Sequence, residues 1–181
     1  ARGHFPSAGL RGYKTDAWEG GHRIPLIARW PGKVRAGTTC AATVCLNDLM
    51  ATAAEIVGRQ LPDNAGEDSF SMLPALLGTV SGPLREATVH ATGRGILAIR
   101  QEEWKLILGG SADDGNRFEL YHLGEDPAEK NNLAAARPEV VARLQRLMEK
   151  YVRQGRSTPG APQKNTDPQE WPQLWWMRNT G

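Results

Sequence analysis

The sequence predicts an α/β chain built around a small four-stranded antiparallel sheet covered by a C-terminal helix. Two observations carry this. Between Glu86 and Leu123 the runs EATVHAT, ILAIR, EEWKLIL and FELYHL follow one another at close spacing, with a Gly93-Arg94-Gly95 turn after the first, as in an antiparallel meander. Beyond Asp126-Pro127, PEVVARLQRLMEKYVRQG has Pro138 in its first turn, Val141, Leu144, Met148 and Tyr151 along one face, and Gly155 as its stop. An apolar helix face is what one side of a small sheet needs as a cover.

The elements upstream are of a different kind. RGYKTDAWEGGHRIP, residues 11–25, contains adjacent glycines, Gly20 and Gly21, which read as a tight bend because glycine tolerates positive φ and close backbone approach. IPLIARWPG, residues 24–32, is a short apolar run stopped by Pro31-Gly32 and predicts a buried strand. In NDLMATAAEIVG, Asn47 is placed to cap a helix whose Leu49, Ala53, Ile56 and Val57 share one face, and Gly58 ends it. A polar loop then leads into the short apolar turn SMLPALLG. Trp18 and Trp30 are expected in the core. At the far end, RSTPGAPQKNTDPQEWPQLWWM has no period and is rich in Pro, Gln and Trp. It predicts an extended tail laid on the surface and anchored by Trp171, Trp175 and Trp176, since three tryptophans in a free tail would expose a large apolar area. The expected divisions are thus residues 1–80, 81–155 and 156–181.

Composition narrows the functions. The 181 residues are 40% hydrophobic and 23% charged, with a net charge of +2 and no basic stripe, so nucleic acid is not an expected partner. No run of eighteen apolar residues is present to span a membrane. Cys40 and Cys45 have no second pair or neighbouring His to complete a zinc site, and are expected as half-buried small side chains.

The ordered segments LRGYK, WEGGHRIPLIARWPGKV, NDLMATAAEIVG before LP, ILAIRQEEWKLIL and FELYHLGEDPAEKNNLA closely resemble the C-terminal part of type I sulfatases, the arylsulfatase-like branch of the alkaline phosphatase superfamily. The resemblance runs along essentially the whole chain. It implies a sulfuric ester hydrolase acting on a carbohydrate or aryl sulfate. Its nucleophile would be a formylglycine made from the Cys or Ser of a C/S-x-P-x-R motif, beside a Ca2+ ion held by Asp and Asn. Residues 1–80 would then end the catalytic domain, 81–155 would form the smaller subdomain, and 156–181 the tail. The formylglycine and calcium motifs of the family lie upstream of its RG-x-K segment. The resemblance therefore implies that they belong to a missing N-terminal part of the same protein, that no metal ligand lies in this chain, and that the chain alone is inactive. It also implies a periplasmic or extracellular setting.

Lys14 matches the lysine of the RG-x-K segment, which in that family reaches the sulfate group. An ammonium there offsets the negative charge that builds on the sulfate oxygens or the leaving oxygen. His4 lines the pocket entrance or sits in a surface loop. His90 lies in the first strand of the meander, whose end the resemblance places near the active-site cleft, and is a candidate substrate contact. His22 and His122 fit packing or the solvent edge. Glu19 and Arg23 flank the glycine pair and either hold Lys14 in place or form a surface ion pair of little energetic weight. Ser81-Gly82-Pro83-Leu84-Arg85 fits S-x-P-x-R, but a true nucleophile of this kind belongs at a helix N-terminus, and the residues after Arg85 read as a strand. Two other readings remain open: a phosphoesterase or phosphonate hydrolase of the same superfamily, and a non-catalytic module that binds sulfated glycans.

Overall fold

The computed structural model describes residues 3, 6–109, 118–164 and 171–179, so His4 lies outside the described residues. The chain forms two compact units, one made of Ala1–Ile24, Val89–Lys150 and Asp167–Gly181, the other of Pro25–Thr88 and Tyr151–Thr166. These units cut across the divisions at 80 and 155. The first two dozen residues join the sheet because Arg11, Trp18 and Glu19 bond to side chains of its strands.

In the first unit, β1 (Thr88–Ala91), β2 (Leu97–Gln101), β3 (Trp104–Ile107) and β4 (Glu119–His122) form one sheet in the order β1-β2-β3-β4. This is the expected meander. Antiparallel register pairs Ala98 with Ile107, Ile99 with Leu106 and Arg100 with Lys105, and then Lys105 with Tyr121 and Leu106 with Leu120. Directly opposed residues share a face. One face therefore carries Ile99, Leu106 and Leu120, all fully buried. The other carries Ala98, Arg100, Lys105, Ile107, Glu119 and Tyr121. Against this second face Ala17 and Trp18 pack on Ala98, Ile107, Tyr121 and Leu123.

The long helix α4 spans Pro138–Gln154 and buries Val141, Leu144, Leu147, Met148 and Tyr151. Its Arg143 donates to Gln101, which belongs to the apolar face of the sheet, so that face is the one beside the helix. The tail differs from its expectation. Pro172–Asn179 forms a 3-10 helix kinked at Leu174, in which Trp176 is buried and Trp175 stacks on Phe118 at 5.8 Å, while Trp171 is exposed. Two of the three tryptophans anchor it.

The second unit holds α2 (Asp48–Ile56) and α3 (Leu73–Leu77), the latter ended by Gly78 at φ +71°. Here the apolar pattern misleads. Leu49, Ile56 and Val57 are exposed, and α2 instead buries Asp48 and Thr52. Asp48 accepts the Cys45 and Phe70 N–H groups at 2.7 and 3.0 Å and pairs with Arg85, while Thr52 accepts the Met72 N–H at 2.9 Å. Directional bonds, which need burial to hold their strength, fix this helix more firmly than its apolar stripe could. Asn47 does not cap it. Its amide donates to the Asp68 carbonyl at 2.8 Å. Nor do residues 25–30 form a strand: Ile27 is 91% exposed, and an apolar run needs a neighbouring strand before its pattern becomes a ladder. Cys40 is exposed, not half-buried, and the burial of Cys45 pushes its thiol pKa up.

Arg85→Ala strips Asp48 of its buried partner. The expected loss is about 3–5 kcal/mol of unfolding free energy, to be read as a shift in the urea midpoint of the full-length protein; a loss within the range of a surface substitution would show that the pair does not hold α2.

Candidate functional site

Lys14 lies in the loop that leads into α1, the single helical turn Glu19–His22. The expected bend at Gly20-Gly21 is this turn, and the glycines serve close approach, not positive φ. A Cβ on Gly20 would overlap the Gly12 carbonyl and lie 2.6 Å from that of Arg11; on Gly21 it would overlap the Asp16 carbonyl and lie 2.8 Å from that of Tyr13. Gly20 donates its N–H to Arg11 O at 2.8 Å. Tyr13 and Asp16 close the loop reciprocally, the Tyr13 N–H on Asp16 Oδ2 at 2.8 Å and the Asp16 N–H on Tyr13 O at 2.9 Å. Residues 11–16 are thus moulded onto α1. Within them Lys14 is exposed and, among the described residues, makes no hydrogen bond or ion pair. Thr15 follows at φ +85°, a conformation costly for a β-branched residue and one that concentrates at functional sites.

What holds α1 is a buried charge cluster. Lys105, fully buried in β3, places Nζ 3.0 Å from Glu19 Oε1 and 2.8 Å from Glu129 Oε1. The Glu19 N–H donates to Glu129 Oε2 at 2.5 Å. Arg100 and Arg23 stand farther off, 3.7 and 3.8 Å from Glu19 Oε2, and His22 Nε2 is 3.3 Å from Glu19 Oε1. Burial raises the Glu19 carboxyl, but the His22 hydrogen bond, the Lys105 charge and hydrogen bond, and the Arg100 charge together hold it well below the carboxylate range. Arg11 completes the frame. It donates to Tyr121 Oη at 2.8 Å and to Glu129 O at 3.0 Å, and its guanidinium lies 3.9 Å over the Trp18 ring.

The sequence-predicted residues divide accordingly. Glu19 is the centre of the cluster, and Arg23 is its most distant and most exposed cation. His90 stacks on His22 with ring centroids 3.9 Å apart, and its Nε2 is enclosed. His122 packs edge-on against Trp104 and lies 3.4 Å from Glu103. Lys105, Glu129 and Arg11 went unnoticed in the sequence. Only the lysine left a signal, a charge in the middle of the apolar strand WKLI. Ser81 is exposed, Arg85 is committed to Asp48, and β1 follows instead of a helix, so the S-x-P-x-R match has a structural account. Among the described residues no group of three or more His, Cys, Asp or Glu is arranged to hold a metal, and no helix is long and apolar enough to cross a membrane.

Burial, reinforced by His22, Lys105 and Arg100, pushes His90 down to about 3 from the ordinary 6.5. The folded protein therefore keeps His90 neutral where the unfolded chain takes up a proton, and the stability this represents is full above pH 6.5 and lost as pH falls towards 3. His90→Phe, which keeps a ring on His22, is expected to reduce the drop in urea midpoint between pH 7 and pH 5. An unchanged drop would locate the acid sensitivity elsewhere.

Over residues 14–156 the chain matches the family model described as N-sulphoglucosamine sulphohydrolase, C-terminal. It is 38% identical over 158 residues to the N-acetylgalactosamine-6-O-sulfatase of Bacteroides thetaiotaomicron, covering 81% of this chain and 30% of that protein. It is 33% identical over 164 residues to human arylsulfatase A, covering 76% of this chain and 32% of that protein. A solved structure from work on glycosaminoglycan metabolism by Bacteroides thetaiotaomicron superposes with a TM-score of 0.74 at 38% identity, covering 82% of this chain and 33% of that one. The chain spans about a third of the length of the curated relatives it matches. With the four-stranded sheet, its helices and the WEGG turn in place, the chain belongs to the sulfatases, as the C-terminal region of that family.

Proposed function

We propose that the full-length protein hydrolyses sulfate esters and that Lys14 binds the sulfate group. The observation that carries this is an exposed Lys14 with no partner among the described residues, held in a loop closed by Tyr13 and Asp16 and packed on Gly20 and Gly21, next to a strained Thr15, in a chain of the sulfatase family. A free lysine on a mobile loop would lose much side-chain entropy on binding an anion. Here the backbone share of that cost is already met by Gly20, Gly21 and the Glu19–Lys105–Glu129 cluster. The relative named for N-acetylgalactosamine 6-O-sulfate supports a carbohydrate substrate. Human arylsulfatase A keeps the aryl class in view.

In this reading the Lys14 ammonium contacts a sulfate oxygen as negative charge grows on it, a contact worth more in a site that excludes water. Glu19, with Arg23 at its edge, positions the loop without touching substrate. In this reading the calcium ligands and the nucleophile belong to sequence outside these 181 residues, in keeping with the described residues, among which no group of three or more His, Cys, Asp or Glu is arranged to hold a metal. When present, calcium would neutralise sulfate charge and formylglycine would supply the nucleophile. A periplasmic or extracellular setting goes with this reading.

Lys14→Ala in the full-length protein is expected to lower kcat about 10²–10³-fold while leaving the melting temperature within the range of a surface substitution. Ser81→Ala is expected to leave turnover intact. The assay is release of inorganic sulfate from a sulfated hexosamine, run beside release of phosphate from the matched phosphate ester. Preferential phosphate release would replace the sulfatase reading with a phosphoesterase, and an unaltered rate in Lys14→Ala would remove Lys14 from the mechanism.

A further inference from the structure

Between the Lys14 loop and the β1–β2 turn lies a cavity of about 220 Å³, lined by Thr15, Asp16, Trp18, Thr92, Arg94 and Glu119 together with apolar residues that include Ile96 and Ile107. We propose that it is a subsite for one pyranose ring and that Arg94 binds an anionic substituent on that ring. This rests on the sulfatase reading and names the part of the substrate next to the scissile ester.

The lining has the chemistry of a sugar site. A pyranose presents hydroxyl edges and C–H faces, and the cavity lining holds carboxylate and hydroxyl side chains together with an indole and aliphatic side chains. Its volume is below the roughly 300–1,000 Å³ of pockets for drug-sized ligands, which suits a single ring. Lys14 does not line it, but Thr15, the next residue in the same loop, does. The turn closes on the loop as well, since a Cβ on Gly93 would rest 3.6 Å from Thr15 Cβ.

Charge bookkeeping singles out Arg94. Glu119 is engaged through Oε2, which accepts from Trp18 Nε1 at 3.0 Å and Tyr121 Oη at 2.5 Å and lies 3.6 Å from Arg11. Asp16 Oδ2 is taken by the Tyr13 N–H, which leaves its other oxygen to accept from a hydroxyl. Arg94 is exposed and, among the described residues, has no carboxylate partner. Its turn is nevertheless fixed. Thr92 Oγ1 accepts the N–H groups of Arg94 and Ile96 at 3.2 and 2.9 Å, and the Gly95 N–H bonds to Thr92 O at 2.9 Å. A guanidinium free at its head on a rigid turn is suited to a carboxylate or a sulfate, which it can grip with two parallel N–H groups.

The test compares three substrates of the full-length protein, one sulfated hexosamine linked to a neutral sugar, to a uronate, or to a second sulfated sugar, with wild type, Arg94→Ala and Arg94→Lys. The ratio of kcat/KM for an anionic over the neutral substrate is expected to fall about ten- to hundred-fold in Arg94→Ala. The loss should be carried by KM and partly restored in Arg94→Lys, and whichever anionic arm falls identifies the group. Equal loss on all three substrates, or none, overturns the proposal. If the wild type hydrolyses no sulfate ester, the sulfatase reading fails by itself. Calorimetric binding of the uronate and sulfated sugars then decides the subsite: Arg94-dependent affinity keeps it, and affinity indifferent to Arg94→Ala removes it.

Discussion

Lys105 carries an ammonium to a point in the sheet that water does not reach, and two carboxylates from distant parts of the chain come to meet it. Each of these charges costs several kcal/mol to take out of water, and their attraction offsets that cost only when the geometry is good and the remaining lone pairs are used. The cluster meets the condition in part. Glu129 ion-pairs with Lys105 through one oxygen that makes no hydrogen bond and accepts the Glu19 backbone N–H with the other, while Glu19 collects Lys105, His22 and, more loosely, two arginines. Removing Lys105 would leave two carboxylates facing each other in the interior, and removing either carboxylate would strip Lys105 of one of its two partners. The cluster therefore acts as a lock more than as a source of net stability. Apolar contact, being non-directional, would tolerate a turn of α1 that these bonds do not.

From that lock the loop geometry follows by steps. With Glu19 pinned to Lys105 and Glu129, the next two residues have one place to go, and it lies against the carbonyls of residues 11–16, where only glycine fits. Arg11 then ties the start of the same loop to Tyr121 and to the backbone of Glu129. The loop is held at both ends by the sheet face that carries Lys105. Between those ends Thr15 sits at a φ that a threonine does not adopt unaided, so the surrounding bonds must supply what the strain takes.

Much of this was legible in the sequence, and the reasons differ by element. The four strands and α4 were readable because their period also sets their partners: neighbours in a meander are neighbours in sequence, and α4 needs only a face to cover. The run at 24–30 and the stripe on α2 were misread because an apolar pattern says that a surface wants covering and not where the cover is. The glycine pair was correctly placed, and of its two reasons close approach holds and positive φ does not, since both leave the same residue behind. Glu19 was noticed through its neighbours, but Glu129 lies 110 residues away and nothing local marks it as a partner. Lys105 alone broke a pattern. A charge inside an apolar strand is either an error or a buried pair, and proteins do not keep the error.

The arrangement separates two demands that usually conflict. A cation that is to bind an anion must be left without a partner in the resting protein, and a loop with an unpartnered cation lacks the contact that would have ordered it. Here order is imposed through backbone atoms, the buried cluster and the Asp16 and Thr92 side chains, so that Lys14 and Arg94 both stand on bonded main chain and, among the described residues, have no ion-pair partner. The order of the region resides in Glu19, Lys105, Glu129 and the glycines, and in the proposed function its anion binding would fall to Lys14 and Arg94, which take no part in that cluster. A change of either cation would then alter recognition without passing through the lock.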